Sequence, residues 1–248
     1  MKPSIDRFSE ASDQYQLYRP KYPDQLYQLL LKHVSQKKRA WDCATGNGQV
    51  ALQSAKHFEA VEASDLSPQQ LAAAPKHPKI RYTACRAEQT PFPDQHFDLI
   101  TVAQALHWFD VPAFHREAVR VARPGCLLAE WGYGLLQLEE PVQKVIDLFY
   151  RNIIGAYWDP ERLHIDRQYE DLPFPFGRIS VNQPLYMENH WTLEHLLGYF
   201  STWSAVKRYH AQHHSDPVDL VREALFKAWG EENSKLVRHP IFLRIGVI

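Results

Sequence analysis

The clearest chemical pattern in the sequence is a glycine-containing turn, Asp42-Cys43-Ala44-Thr45-Gly46-Asn47-Gly48, between a predicted strand and a predicted helix. Glycine permits positive φ angles and lets a ligand approach the main chain without a Cβ in the way. Asp65 ends the next predicted strand, close to the spacing of about 20 residues at which a carboxylate accepts both hydrogen bonds from a ribose diol. The pattern predicts a site for a ligand that contains a ribose.

Two kinds of ligand fit this turn. Gly46-x-Gly48-x-x-Ala51 satisfies the dinucleotide fingerprint, so an NAD-dependent oxidoreductase is one alternative, although no clear second half of a dinucleotide site follows. Asp42 favours the other alternative, because a carboxylate at the strand end disfavours an anionic pyrophosphate. The same carboxylate favours the ammonium and sulfonium groups of S-adenosylmethionine.

Aromatic residues and one arginine precede the first predicted helix. Tyr15, Tyr18 and Tyr22 cluster there and are candidates for a lid over the ligand. Arg19 lies among them, and its guanidinium can clamp a carboxylate with two parallel hydrogen bonds. That carboxylate would belong either to the cofactor's methionine or to the substrate; the alternative is a surface arginine stacked on a tyrosine.

A second group of candidates lies at the other side of the predicted site. His107-Trp108 follows the fourth predicted strand at its C-terminal end, where ligands of open α/β sheets bind. His107 is therefore a candidate base or acceptor-orienting residue, with a structural histidine as the alternative. Tyr133 and Trp203 are candidates for the wall of an acceptor pocket, or simply core aromatics.

Other catalytic patterns are absent from the sequence. It contains no Gly-x-Ser-x-Gly elbow, no His-Glu-x-x-His and no Cys-x-x-Cys. His210, His213 and His214 have helical spacing, but no nearby cysteine or carboxylate set completes a metal site, so a solvated polar face is predicted. We therefore expect no metal.

The elements that position these residues follow from hydrophobic patterning. Between about residue 24 and residue 131, short apolar strands alternate with helical stretches, which predicts a mostly parallel sheet covered by helices. Residues 155–177 show no clean period and suggest an aromatic loop or insertion. The predicted strands are Ala40–Cys43, Ala60–Ser64, Ile80–Ala84, Phe97–Val102, Cys126–Glu130 and Ile241–Ile248, and the predicted helices beyond the glycine turn are Val50–Phe58, Pro68–Ala74, Pro112–Val121, Leu193–Thr202 and Val218–Trp229.

Composition narrows the functional classes. The 248 residues, 45% of them hydrophobic, can bury one sizeable core, which predicts a single domain. The 28 basic and 29 acidic side chains nearly balance, so no general attraction to nucleic acid or anionic membranes is expected. The N-terminus lacks the apolar core of a signal peptide, no apolar run is long enough for a membrane helix, and the three cysteines form no disulfide framework. A cytoplasmic protein is predicted.

Taken in order, the motifs resemble those of class I S-adenosylmethionine-dependent methyltransferases, particularly the small-molecule group called type 11. The resemblance covers about residues 8 to 131. A further set of aromatic motifs is similar to that of a subgroup related to trans-aconitate methyltransferases. The first set is Asp42-x-x-x-Gly46-x-Gly48, Asp65, Ala87-Glu88, Phe97-Asp98-Leu99-Ile100 and Arg123-Pro124-Gly125; the second is Phe8-x-x-Ala11-x-x-x-Tyr15-x-x-Tyr18-Arg19-Pro20-x-Tyr22-Pro23, Gln104-Ala105-Leu106-His107-Trp108-Phe109 and Trp203-Ser204.

The resemblance implies a role for each matching residue. The turn from Gly46 to Gly48 would face the methionine part of the cofactor, and Gln104 would lie beside it. Asp65 would bind the ribose, while Leu66 and Ala87-Glu88 would surround the adenine. The residues then expected to bind the cofactor are Tyr15, Arg19, Asp42, Ala44, Gly46, Gly48, Asp65, Leu66, Ala87, Glu88 and Gln104; those expected at the substrate are Tyr22, Trp108, Tyr133 and Trp203, with His107 as the catalytic candidate.

The resemblance also implies an architecture: an α/β, Rossmann-like, doubly wound, seven-stranded, mostly parallel sheet with an antiparallel last strand and a helical cap. Within one domain we expect an N-terminal lid and helix (1–35), a cofactor-binding core (36–135), a substrate cap (136–235) and the last strand (236–248). The expected activity is methyl transfer to a small molecule, with O-methylation of a carboxylic acid favoured, by a monomer or homodimer. A non-catalytic, cofactor-binding regulatory protein remains an alternative.

Overall fold

The computed structural model describes residues 17–248, in which helices and strands alternate through the first half of the chain. The prediction for Tyr15 lies outside the described residues. The helices are α1 (Asp24–Leu31), α2 (Gln49–Ser54), α3 (Pro68–Ala73), α4 (Val111–Val121), α5 (Val142–Leu148), α6 (Arg162–Asp166), α7 (Leu193–Ser201), α8 (Ser204–His213) and α9 (Asp219–Trp229). The strands are β1 (Arg39–Cys43), β2 (Ala60–Asp65), β3 (Ile80–Ala84), β4 (Phe97–Ala103), β5 (Ala122–Tyr133), β6 (Gly177–Arg178), β7 (Leu185–Trp191) and β8 (Lys235–Val247).

All eight described strands form one sheet. Strands β1 to β5 are parallel, in the order β3-β2-β1-β4-β5. The chain runs outward from β1 to β3 and then crosses to β4 on the other side of β1, so the winding direction reverses between β1 and β4. In open α/β sheets a reversal of this kind opens a crevice at the carboxyl ends of the strands, where ligands bind.

The C-terminal part of the sheet is antiparallel. Strand β8 pairs antiparallel with β5, from Leu127 opposite Val247 to Tyr133 opposite Ile241. Its other edge pairs antiparallel with β7 along residues 235–241 and with β6 at residues 246–247. The predicted Rossmann-like fold with an antiparallel last strand is confirmed, and the sheet has eight strands where seven were expected.

Several element boundaries differ from the prediction, and helix α2 ends at Ser54, not Phe58. Strand β8 begins at Lys235, not Ile241, and β7 lies inside residues 136–235, so that segment contributes to the sheet as well as to the cap. Arg123-Pro124-Gly125 does not separate α4 from the strand, because β5 already begins at Ala122. Gly125 has a φ of 83°, and the register between β4 and β5 shifts beside it, so the strand accommodates this motif as an irregularity.

Each face of the sheet has its own core, and the helices after β5 have a third. Trp41 and Phe114 are fully buried on the face covered by α4, and Trp131 is fully buried on the face covered by α1 and α2. The cap core packs α5, α7 and α9 around Phe149 and Trp203. Burying these apolar faces is the main term that stabilises the arrangement.

Two buried carboxylates join distant segments. Asp98 Oδ2 accepts hydrogen bonds from the backbone N–H groups of Lys38 and Arg39, and its Oδ1 accepts one from Arg123 at 2.8 Å. Asp98 is the second residue of β4, so these contacts lie at the end of the sheet opposite the carboxyl ends of the parallel strands. The Asp98 and Arg123 motifs therefore stabilise the scaffold and lie away from the ligand crevice.

The second carboxylate, Glu130, is fully buried on β5. Its Oε1 contacts His115 Nε2 at 2.7 Å, and its Oε2 accepts from Arg244 Nε at 3.0 Å. Arg244 also donates to the carbonyl oxygens of Tyr169 and Leu172. The network fixes the irregular segment after α6 to the sheet, and it satisfies charges that would be costly to bury alone.

Among residues 17–248, no helix is long and apolar enough to cross a membrane. The same residues contain no group of three or more His, Cys, Asp or Glu side chains that could hold a metal ion. His213 Nε2 forms a hydrogen bond with Tyr157 Oη.

Candidate functional site

A cavity of about 660 Å³ opens at the carboxyl ends of the parallel strands. Its volume lies in the range of about 300–1,000 Å³ that is typical of small-molecule and cofactor sites. One end is lined by Asp65 and Glu88, and the lining continues past Asp42 and Gln104 to Tyr133. The cavity occupies the crevice that the reversal of winding between β1 and β4 creates.

The glycine turn forms one wall of this cavity. Ala44, Gly46 and Gly48 have φ angles of 54°, 55° and 81°, in the left-handed region. Gly48 is the N-cap of α2, and a Cβ there would lie 2.7 Å from Tyr82 Oη. The turn thus reverses sharply and keeps its backbone close to the cavity, as the glycine spacing predicted. Ala44 and Gly46 line the cavity, whereas Gly48 shapes it from behind.

Asp65 ends β2 and reaches back to the glycine turn. Its Oδ2 accepts a hydrogen bond from the Gly46 N–H at 2.8 Å, and its Oδ1 accepts one from the Ser67 N–H at 2.9 Å. A carboxylate has about four acceptor positions, so each oxygen can accept more than one hydrogen bond. The two backbone N–H groups hold the carboxylate in an orientation suited to a diol.

Asp42 ends β1 beside the turn and is 1% exposed. Thr45 Oγ1 donates to its Oδ2, and Thr101 Oγ1 donates to its Oδ1 at 3.1 Å. Burial raises the pKa of Asp42 to about 7, because desolvation outweighs the stabilising hydrogen bonds from the two threonines. The carboxylate is therefore poised between its two protonation states near neutral pH, and a nearby cation would favour its ionised form.

The loop after β3 supplies a further acidic residue of the cavity. Glu88 Oε1 accepts from the Asp110 N–H at 3.0 Å, and its Oε2 lies 3.4 Å from Arg86 Nε. Ala87 and Leu66 also line the cavity, and 43% of the Leu66 surface is exposed. A cavity lined by both apolar side chains and a carboxylate suits a flat ring with a polar edge.

Gln104 directly follows β4 and connects it to the end of β5. Its backbone has a φ of 54°, and its side-chain Oε1 accepts from the Tyr133 N–H at 2.8 Å. This contact between Gln104 and the end of β5 depends on Gly132, where a Cβ would lie 2.7 Å from Gln104 Oε1 and 2.4 Å from Phe242 Cζ. Gly132 was not among the sequence candidates, since an isolated glycine late in an apolar strand carries no motif.

Arg19 and two tyrosines line the opposite end. Arg19 Nη1 donates to Tyr133 Oη at 2.8 Å, and its guanidinium carbon lies 5.1 Å from the centre of the Tyr199 ring. The rings of Tyr22 and Tyr133 pack edge to face with centres 6.4 Å apart. The structure therefore brings the predicted Arg19, Tyr22 and Tyr133 together at one end of the cavity.

Trp108, predicted at the substrate, also lines the cavity. Phe109 and Glu161 do so as well, and sequence reasoning missed both. Glu161 precedes α6 in the segment without hydrophobic periodicity, where no signal predicts which side chain turns inward. Thr45, Thr101 and Ser67 orient the two aspartates and were also missed, because no sequence motif marks a residue whose role is to hold a neighbouring carboxylate.

Two further predicted residues do not line the cavity. His107 is buried behind it, with Nδ1 3.2 Å from Tyr169 Oη, and burial lowers its pKa to about 3. A buried and very weakly basic imidazole is a poor general base, so this geometry does not favour a catalytic role for His107. Trp203 packs against Phe149 and Phe200 in the cap core.

Comparison with known proteins agrees with this geometry. A family model described as a methyltransferase domain matches residues 41–129. A Dictyostelium discoideum protein named as a methyltransferase is 32% identical over 246 residues, covering 96% of this chain and 93% of its own, and an uncharacterized methyltransferase of Mycobacterium tuberculosis is 30% identical over 88% and 85% of the two chains. The solved structure of an Anaeromyxobacter dehalogenans protein described as a type II methyltransferase superposes with a TM-score of 0.86 and 38% identity, covering 93% of this chain and 98% of that one.

The parallel sheet, the glycine turn and the acidic residues after β2 and β3 together define a Rossmann-like, nucleoside-binding enzyme. With these relatives, the chain belongs to the class I S-adenosylmethionine-dependent methyltransferases. Its cofactor is S-adenosylmethionine.

Proposed function

We propose that the protein transfers a methyl group from S-adenosylmethionine to a small molecule held in the same cavity. The observation that supports this most is the continuity of the cavity from Asp65 and Glu88 to Arg19 and Tyr133. One end carries acidic and backbone groups suited to a nucleoside, and the other carries an arginine and aromatic rings suited to a compact organic acceptor.

The chain's residues fit the cofactor. Asp65 would accept hydrogen bonds from the ribose hydroxyls, and Leu66, Ala87 and Glu88 would surround the adenine. Ala44, Gly46, Gly48 and Gln104 would form the wall beside the methionine part, with Asp42 as the nearby negative charge. When bound, S-adenosylmethionine supplies a methyl group already activated by its sulfonium.

Because that methyl group is activated, the protein mainly has to align the acceptor and exclude water. Trp108, Phe109, Tyr22 and Tyr133 provide an apolar wall for this purpose. None of the wall residues that the structure describes is a histidine, which fits an acceptor that is already a good nucleophile at neutral pH, such as a carboxylate. O-methylation of a carboxylic acid is therefore the favoured reaction, and the resemblance of the N-terminal motif to that of trans-aconitate methyltransferases supports it.

The remaining parts of the proposal rest on the sequence: a monomer or homodimer, without nucleic acid as a substrate. The exclusion of nucleic acid follows from the balanced charge of 28 basic and 29 acidic residues.

A methyl-transfer assay tests the proposal. Purified protein is incubated with S-adenosylmethionine and a panel of mono-, di- and tricarboxylic acids, trans-aconitate included, alongside phenols and amines of similar size. Formation of S-adenosylhomocysteine and a base-labile methyl ester with a carboxylic acid supports the proposal. Turnover only with the phenols or amines would overturn the carboxylate acceptor, and no turnover with any acceptor would favour the regulatory alternative.

A further inference from the structure

His239 on β8 is fully buried, and neither of its ring nitrogens has a hydrogen-bond partner within the part of the chain that the structure describes. Burial, assisted by the positive charge of Arg19, lowers its pKa to about 3, so the ring is neutral at physiological pH. A neutral imidazole has one N–H donor and one acceptor nitrogen, and leaving both unsatisfied in an interior costs free energy.

Other buried histidines of this protein do not share this feature. His115 Nε2 contacts Glu130 at 2.7 Å, and His107 Nδ1 contacts Tyr169 Oη at 3.2 Å. Buried unsatisfied groups are rare in native proteins and tend to mark functional positions. His239 therefore needs a reason that packing does not supply.

The surroundings of His239 point to that reason. Its ring centre lies 5.6 Å from that of Tyr133 and 5.3 Å from those of Tyr199 and Trp191. Tyr133 lines the cavity and accepts a hydrogen bond from Arg19, which also lines it. His239 thus lies directly behind the arginine end of the cavity, one ring away from its surface.

Arg19 brings a guanidinium group to this end of the cavity. It donates hydrogen bonds to Tyr133 Oη and to the Thr202 carbonyl oxygen, and it faces the Tyr199 ring. A guanidinium matches the planar, two-oxygen geometry of a carboxylate, and an imidazole N–H is a suitable third donor.

We propose that Arg19, Tyr133 and His239 form a subsite that binds a carboxylate of the methyl acceptor. This inference rests on the proposed function and deepens it by assigning the residues that select the acceptor. It requires Tyr133 to shift so that the bound carboxylate reaches the imidazole. The bound group anchors the acceptor, and the methylated atom lies elsewhere on the same molecule, nearer Gln104.

The experiment uses histidine labelled with ¹⁵N in the full-length protein saturated with S-adenosylhomocysteine, with the His239 resonances assigned from the His239→Phe spectrum. Sodium acetate and sodium benzoate are titrated against sodium chloride and sodium phosphate at equal ionic strength. We expect the carboxylates, but not chloride or phosphate, to shift the His239 ring resonances. His239→Phe should weaken carboxylate binding by roughly tenfold or more and leave S-adenosylhomocysteine binding unchanged.

Thermal stability gives a second readout with a matched control. His239→Phe should raise Tm, because it removes two unsatisfied polar atoms, whereas His115→Phe should lower Tm, because it breaks a buried pair with Glu130. His239→Leu, which is closer in volume to histidine, serves if phenylalanine does not fit. Any one of four outcomes would overturn the subsite. These are unshifted His239 resonances, phosphate binding equal to that of acetate, unchanged carboxylate affinity in both His239→Phe and His239→Leu, and a lowered Tm in both variants. Failure of the subsite with intact turnover of a carboxylic acid would leave the proposed function standing.

Discussion

Asp65 Oδ2 accepts a hydrogen bond from the Gly46 N–H at 2.8 Å, which joins the end of β2 to the turn that follows β1. Both residues belong to elements that the sequence motifs predict, but their direct contact is visible only in the structure. It makes the carboxylate part of the cavity wall and fixes it before a ligand binds, so part of the ordering cost of binding has already been met.

Replacement of Asp65 tests this arrangement. Asp65→Ala should weaken S-adenosylhomocysteine binding by roughly 10- to 100-fold, because hydrogen bonds from ribose hydroxyls to a charged acceptor are lost. Isothermal titration calorimetry gives the affinity. Asp219→Ala, at an exposed carboxylate on α9, is the control and should bind as the wild type does. Equal affinity in Asp65→Ala and the wild type would show that the ribose lies elsewhere.

Asp42 should make stability depend on pH. Its pKa in the folded protein, about 7, lies above its ordinary value of 3.8, so the folded state holds the proton more tightly than the unfolded state. The contribution of Asp42 to stability is thus fully present below about pH 4 and is lost as the pH rises through 7. Urea unfolding at pH 5 and pH 8 measures it.

Asp42→Asn is the matched variant, since asparagine cannot ionise. Relative to the wild type, it should gain stability at pH 8 compared with pH 5, because the wild type alone loses stability over that interval. Parallel stability curves for the two proteins between pH 4 and pH 8 would contradict the raised pKa.

Asp98 provides a test that separates scaffold from site. Asp98→Ala leaves Arg123 and two backbone N–H groups without their acceptor and should lower the free energy of unfolding by roughly 2–4 kcal/mol. Below its lowered Tm the variant should bind S-adenosylhomocysteine with unchanged affinity, as calorimetry would show. A selective loss of affinity with unchanged Tm would instead assign Asp98 to the ligand site.

Gly132 is predicted to control the position of Gln104. In Gly132→Ala the new Cβ meets Phe242 and Gln104 at contact distances that require both to move, so we expect weaker cofactor binding and a loss of roughly 1–3 kcal/mol in stability. Gly134→Ala is the control, because its Cβ would make an ordinary 3.5 Å contact with Pro240 Cγ. Similar Tm and affinity in the two variants would contradict this role of Gly132.

The first half of the fold could be predicted because its signals are local. Apolar strands, the glycine turn and the acidic residues at strand ends follow one another along the chain, so motif order alone brings Asp42, Gly46 and Asp65 together. The second half depends on long-range contacts. Lys235 and His239 point inward from β8 and interrupt its apolar pattern, which is why the strand was predicted to begin only at Ile241.

The same reasoning explains why two predicted site residues lie away from the cavity. His107 directly follows β4, as a ligand-facing residue would, but the short 3₁₀ turn Leu106–Trp108 directs it toward Tyr169 and leaves Trp108 at the cavity. Trp203 packs in the separate core of the cap, which no hydrophobic periodicity in the sequence predicts. Such packing decides which of two adjacent aromatic residues faces a ligand.

The most direct test of the central claim is calorimetric titration of the wild-type protein with S-adenosylmethionine, S-adenosylhomocysteine and NAD under identical conditions. We predict that S-adenosylmethionine and S-adenosylhomocysteine bind at micromolar or lower concentration and that NAD shows no measurable binding. Binding of NAD alone would contradict the assignment of the Gly46 and Asp65 cavity to S-adenosylmethionine.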